Sequence, residues 1–271
     1  VRPRRPRSPF APHHRHLVEE AGAGATGLFL DDGLRSVRGL EALTSLESLT
    51  LPSGVKLGPV ARLPHLRQLT LLGPHREASL RSRSVDLRPL AGAPALDELL
   101  LHGVHVRDLS PLAEVSTLRT VELGFLHAPS LRPLAGLPLT RLVLDGVSGV
   151  RLNQLRGLSV SALDVWGCVG AVDPSALDTM PNLQEVWFHG DAPDVLDHLR
   201  HVADGATLVL DGSVDPDRHR DTIRALEGRG VWLFVGHEPH EHGVHPSWWG
   251  DCAGLADPAR ATPPRYVSPP R

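Results

Sequence analysis

One pattern recurs in phase down this chain: two apolar residues one position apart, a short turn, a Pro-Leu-Ala type segment, and then the next apolar pair. The clearest copy runs from Leu96 to Leu118. It opens with Leu96-x-x-Leu99-x-Leu101, turns through Gly103, and gives Asp108-Leu109-Ser110-Pro111-Leu112-Ala113 before the next leucine at Leu118. Registered on the apolar pairs, the copies fall at Leu28/Leu30, Leu49/Leu51, Leu69/Leu71, Leu99/Leu101, Val121/Leu123, Leu142/Leu144, Leu163/Val165, Val186/Phe188 and Leu208/Leu210, with a weaker one at Val231/Leu233. Successive pairs lie 20 to 23 residues apart, except for one gap of 30 that places an insertion between Gly73 and Val85. That insertion (Pro74–Ser84) is polar and basic, as a surface loop should be. A period in this range marks a stacked-repeat architecture.

The spacing has a simple physical basis. A strand sends alternate side chains to opposite faces, so Leu99 and Leu101 point into one interior while Glu98 and Leu100 point out. The Pro-Leu-Ala segment returns the chain on the far side and lowers a further leucine, such as Leu112, into the same interior. One copy cannot bury its apolar face alone, but stacked copies share a continuous core.

The segments Asp86-Leu87-Arg88-Pro89-Leu90-Ala91-Gly92, Asp108-Leu109-Ser110-Pro111-Leu112-Ala113 and Ser130-Leu131-Arg132-Pro133-Leu134-Ala135-Gly136 resemble the convex side of internalin-type bacterial leucine-rich repeats. The resemblance covers roughly residues 25–212. It implies an α/β leucine-rich-repeat solenoid: a curved parallel sheet on the concave face and short turns, often 3₁₀, on the convex one. There is one departure. The asparagine that the family usually places three residues past the last leucine is replaced by Gly54, Pro74, Val104, Leu126, Val147, Cys168, Asp191 and Ser213.

Three regions follow: a flexible basic arm over 1–20, the repeat domain over 21–236, and a loosely ordered Pro/His-rich tail over 237–271. The last coils carry helical periodicity, with apolar residues at 195, 196, 199 and 202 within Pro193–Asp204. Asp217–Glu227 follows Asp215-Pro216 as a start signal and turns Ile223 and Leu226 inward. A net charge of -3 argues against nucleic acid as a bulk electrostatic partner. Two cysteines, Cys168 and Cys252, make no disulfide framework, which points to a reducing, cytoplasmic setting. Cys168 falls in a turn slot, where a thiol behaves as a small hydrophobe. No run of 18 apolar residues exists, so no membrane span is expected. The Arg/Pro-rich start lacks the apolar stretch of a secretory signal.

The outward strand positions are where function is sought. Early coils present small and polar groups there (Thr50, Thr70, Gln68), and from Glu122 onward the surface turns acidic and aromatic. Glu122, Asp145, Asp164, Trp166, Glu185, Trp187, His189, Asp211 and Trp232 all fall on it, with Arg141 the nearest basic residue and expected to face solvent. Since strands lie about 4.8 Å apart, Asp145, Trp166, His189 and Asp211 should form a side-by-side row. Exposed tryptophan among carboxylates is the composition of an interface anchor. The alternative is that Trp166 and Trp187 merely pack on each other or beneath the tail.

A second candidate is His237-Glu238-Pro239-His240-Glu241-His242-Gly243-Val244-His245, where His237, His240, His242 and His245 could bind Zn²⁺ or Ni²⁺. It is not the zinc-protease pattern: Glu241 takes the second histidine slot and Pro239 breaks the helix that pattern needs. A polar low-complexity tail is the reading preferred here. Phosphate-loop and serine-elbow motifs are absent. Cys252-Ala253-Gly254 lacks the aspartate of the Cys-x-Asp motif found in repeat-bearing effector ubiquitin ligases. The chain is therefore expected to be a non-enzymatic, monomeric scaffold with no cofactor, binding a protein or peptide that carries basic and apolar groups. The other functional class is the sensor part of a larger bacterial signalling protein of the NACHT-ATPase type.

Overall fold

The leucine pairs form strands because each pair, with the residue between and the one on either side, alternates inward and outward over up to five residues and is bounded by a turn. A computed structural model describes residues 24–30, 37, 39–73, 84–127, 130–149, 151–168, 173–189, 192, 194–210 and 214–235. Among these, ten parallel strands make one sheet in strict chain order: β1 (Gly27–Phe29), β2 (Ser48–Pro52), β3 (Gln68–Leu72), β4 (Glu98–His102), β5 (Thr120–Gly124), β6 (Arg141–Asp145), β7 (Ala162–Trp166), β8 (Glu185–His189), β9 (Thr207–Leu210) and β10 (Trp232–Val235). Each strand bonds only to its neighbours in sequence. The protein is a leucine-rich-repeat solenoid.

Behind the sheet, 3₁₀ turns return the chain: Arg88–Gly92, Ser110–Glu114, Arg132–Gly136 and Pro174–Thr179 are among them. Asp86, Asp108 and Asp173 fix the entry to three of these turns by accepting a hydrogen bond from the backbone N–H two residues on, at 3.1, 2.8 and 2.9 Å. The turns seat Leu90, Leu112, Leu134 and Leu177 beneath the strand leucines, and all four are buried. Leu142, Leu144, Leu99 and Leu101 have no accessible surface. Burying one such side chain contributes roughly 1.5–3 kcal/mol, and the stack repeats that gain coil after coil.

The missing asparagines are replaced by two devices. Val104, Leu126 and Val147 fill the slot as buried apolar groups, and half-buried Cys168 follows, its thiol reaching the Leu144 carbonyl at 3.5 Å. Burial pushes that thiol up to about 11, so Cys168 stays protonated and acts as filler. The turn backbone is satisfied from the next coil: the N–H groups of Gly73, Gly103, Phe125 and Gly146 donate to the carbonyls of His102, Gly124, Asp145 and Trp166, each at 2.7 Å. The sheet ladder thus runs one residue past β3, β4, β5 and β6 and does there the work a side-chain amide would do.

The long gap between β3 and β4 leaves the sheet untouched, since Gln68 through Leu72 pair with Glu98 through His102 without a break. Residues 74–83 of the insertion lie outside the described residues, as do the 1–20 arm and the 237–271 tail.

Two sequence expectations need correction in the last coils. Val195, Leu196, Leu199 and Val202 are buried as the periodicity indicated, yet the segment is a 3₁₀ turn over Val195–His198 and not a helix. The crossover from β8 to β9 is shorter than the one from β9 to β10, and among the described residues only the longer one holds an α-helix, α1 (Arg220–Gly228), with Ile223 and Leu226 inward. The second correction is register. Leu208 and Leu210 pair with Leu233 and Val235, two residues beyond the expected Val231/Leu233 anchors. Val231-x-Leu233-x-Val235 is apolar at every second position, so alternation alone cannot choose between the two registers.

Candidate binding face

The outward face divides along the sheet. On β2 to β4, Ser48 donates to the Gln68 side-chain carbonyl at 2.8 Å, and Gln68 in turn bonds Glu98. Thr50 and Thr70 lie side by side. From β5 onward the same positions carry Glu122, Val143, Asp164 and Trp187 in one row, and Asp145, Trp166 and His189 in the next. The expected row of Asp145, Trp166 and His189 is therefore formed, while Asp211 lies outside the described residues. Trp232 shares the face, but the shifted register aligns it with Thr207 and Glu185 instead of the Trp187 row.

Burial of the carboxylates is the main departure from the sequence reading. Glu122, Asp145 and Asp164 are only 9%, 4% and 9% exposed. Three acidic groups on adjacent strands thus sit largely out of water, where the charged form is costly. Burial, reinforced by Asp145, Glu98 and Asp164, raises the Glu122 carboxyl to about 7. Burial also lifts Asp164 to about 6 against the pull of Arg141. Both groups therefore change charge near neutral pH.

Arg141 was expected to face solvent; instead it is folded into the site. Its partner position on β7 is Ala162, and beyond that lies Glu185 on β8. The small alanine lets the guanidinium cross a whole strand and bond Glu185 at 3.1 Å, with Asp164 at 3.7 Å. Burial works against its charge, but Asp164 and Glu185 more than offset this and hold the guanidinium above its ordinary range. Trp187 donates its indole N–H to the same Glu185 oxygen at 2.8 Å. The indole and the guanidinium are thus pinned by one carboxylate.

Aromatic rings form the upper edge. Trp166 and His189 lie with ring centroids 4.0 Å apart, and Trp187 is 6.5 Å from His189. Phe125 occupies the turn position that glycine fills in the coils around it, at φ 47°, in the left-handed region. Its ring meets His102 edge-on at 4.9 Å and covers Gly146, where a Cβ would approach it to 2.7 Å. Strand alternation places His102 on this face, at the head of the row that continues to Asp145, Trp166 and His189, but the sequence reading groups it with the early polar coils. Phe125, one residue past β5, carries no alternation signal that would single it out.

The histidines of the metal candidate, His237, His240, His242 and His245, lie outside the described residues. Among the described residues, Asp194, Asp197 and His219 bring ligand-type atoms within 4.8 Å of one another. Arg218 holds Asp194 and Arg200 holds Asp197, each at 2.6 Å. The group therefore works as an ion-pair network tying α1 to the preceding coil. No helix among the described residues is long and apolar enough to cross a membrane.

No family model and no curated protein matches the chain. Among solved structures it is similar to an internalin C2 from Listeria monocytogenes, at 25% identity and TM-score 0.36, covering 60% of this chain and 80% of that one. It is also similar to an internalin from the same species, at 16% identity and TM-score 0.36 over 78% and 81% of the two chains. A plant peptide hormone receptor in complex with RGF2 matches at 14% identity and TM-score 0.42, over 74% of this chain and 34% of that one. The chain itself carries the internalin-type pattern read from its sequence, with in-phase leucine strands in one parallel sheet closed by Pro-Leu-Ala 3₁₀ turns.

Proposed function

We propose that this solenoid is a non-enzymatic scaffold that binds a protein or peptide segment on its concave face, between β5 and β8. The observation that carries this reading is the placement of Glu122, Asp145 and Asp164 together in a low-water site against a single arginine. Stability alone disfavours such a group, since apolar residues there would pack at no electrostatic cost. Half-buried Trp166 and Trp187 beside it supply apolar contact area with fixed orientation. The partner segment presents Arg or Lys next to an apolar residue. The same face serves whether the array acts alone or as the recognition part of a larger signalling protein.

Selection of a displayed random-peptide library on the immobilised protein tests this. Captured peptides should lose about 2 kcal/mol or more of binding to Trp187→Ala, chiefly through a faster off-rate. Their on-rates should fall as salt is raised. Peptides that bind wild type and Trp187→Ala alike would place the binding surface elsewhere and sink the proposal.

A further inference from the structure

We infer that the concave face holds a seat for one guanidinium group, centred over Val143, so that arginine is the residue it reads in its partner. This rests on the proposed binding function and specifies the ligand class of the same site.

Val143 lies at the middle of β6 and is itself 5% exposed. Glu122 flanks it on β5 and Asp164 on β7. Asp145 stands two residues further along the same strand. Strand spacing sets Glu122 and Asp164 roughly 10 Å apart at their backbones, with Asp145 about 7 Å along the strand from Val143. The arrangement is a triangle of carboxylates around an apolar floor. Two of them have acceptor capacity that the described residues leave unused. Glu122, 9% exposed, accepts no hydrogen bond from the described residues. Asp164 Oδ1 is buried without a hydrogen-bond partner, Arg141 approaching only its other oxygen.

The separation selects the ligand. A metal ion needs its oxygens about 2–2.6 Å away, and this trio is not among the described groups whose ligand atoms gather within 4.8 Å of one another. An ammonium is a compact, strongly hydrated point charge that satisfies one side of the triangle. A guanidinium presents five N–H donors in a plane, is weakly hydrated, and lies flat on apolar surface. It can bond Glu122 and Asp164 at once by entering between the side chains over Val143, which leave these three residues only 5–9% exposed in the free protein. Leu100 and Trp187 continue the row at either end and offer apolar surface to the partner's next residue.

Proton release accompanies binding. Glu122 is faced by Glu98 and His102 from β4 and by Arg141 and Asp145 from β6, with Asp164 beyond; Asp164 is faced by Arg141 and Asp145 from β6 and by Glu185 and His189 from β8. Arg141 is the one fixed cation in that set. An incoming guanidinium therefore displaces protons from Glu122 and Asp164, and its affinity rises with pH through the range 6 to 7 in which they ionise.

The test uses the whole chain and three small probes, N-acetyl-arginine amide, N-acetyl-lysine amide and N-acetyl-citrulline amide, followed by calorimetry in two buffers of different ionisation heat. Expected are saturable arginine binding at pH 8, about fivefold or more tighter than lysine, and no citrulline binding. Binding should weaken about tenfold by pH 5.5, with net proton release near pH 6.5. Glu122→Gln should remove most of the pH dependence while thermal unfolding shows a folded protein; Asp164→Asn is the second variant. Equal affinity for arginine and lysine, no saturation by about 50 mM, which is already beyond ordinary weak affinity, or an unchanged Glu122→Gln profile would overturn the inference. Library peptides that depend on Trp187 would then still uphold the proposed function, so the two failures are distinct.

Discussion

The coils of β2 to β4 and those of β5 to β8 are the same inside and different outside. Leu69, Leu71, Leu142 and Leu144 are equally buried, and the strand pairing is continuous through both regions. On the outward face, Thr50 and Thr70 in the first region give way to Glu122, Asp164 and Trp187 in the second. The interior of a stacked repeat is dictated by its neighbours, whereas the outward row is free to vary. Between β5 and β8 that row accepts buried charge at a cost to folding, and this contrast is what the proposed binding function rests on.

The comparison can be broken first at the core. Leu69→Ala and Leu142→Ala should each cost roughly 2–5 kcal/mol in denaturant unfolding, because both remove a fully buried side chain. A large difference between the two would mean the regions do not share one kind of interior.

The pH dependence of stability should separate them next. An unfolded chain releases the Glu122 proton near pH 4.5 and the folded chain near 7. Between those values the folded state holds the extra proton, so stability should fall as pH rises through this window and level off above it. The loss is roughly 3 kcal/mol for Glu122 alone, and it overlaps with that of Asp164 because the two titrate as a coupled group. Glu122→Gln should flatten the profile and raise stability at pH 8, while Thr70→Val should leave its shape unchanged. A wild-type profile that is flat from pH 5 to 8 would contradict the buried placement.

Arg141→Ala is the finer test. Removing the guanidinium leaves Asp164 buried beside Glu185, which should cost about 1–2 kcal/mol and push Asp164 further up. NMR titration of Asp164 in this variant reports the shift directly. Smallest of all, Thr50→Ala should change stability by no more than about 0.5 kcal/mol, as measured by the same unfolding assay.

The sequence made the anchors legible because leucine recurs at a period only a stack can satisfy. Leu142 and Leu112 could be placed from spacing alone. The last register could not, since Val231, Leu233 and Val235 offer two equivalent alternations. The face was legible in membership but not in environment. That Glu122, Asp145 and Asp164 share a side follows from strand parity; how far each is buried does not. Arg141 shows why: its reach to Glu185 is set by Ala162, a residue with no chemistry of its own, lying between them.

The strict order of the sheet also fixes how the molecule should respond to tension. Each strand is bonded only to its neighbours in sequence, and those bonds run along the axis of the stack. A pull on the two ends therefore loads the ladders in series, and the outermost ones yield before the centre. β1, with three paired residues against five in the interior ladders, gives way early. Extension should proceed as a sawtooth, each tooth releasing one coil of about 7 nm of chain, with the acidic coils between β5 and β8 among the last to open.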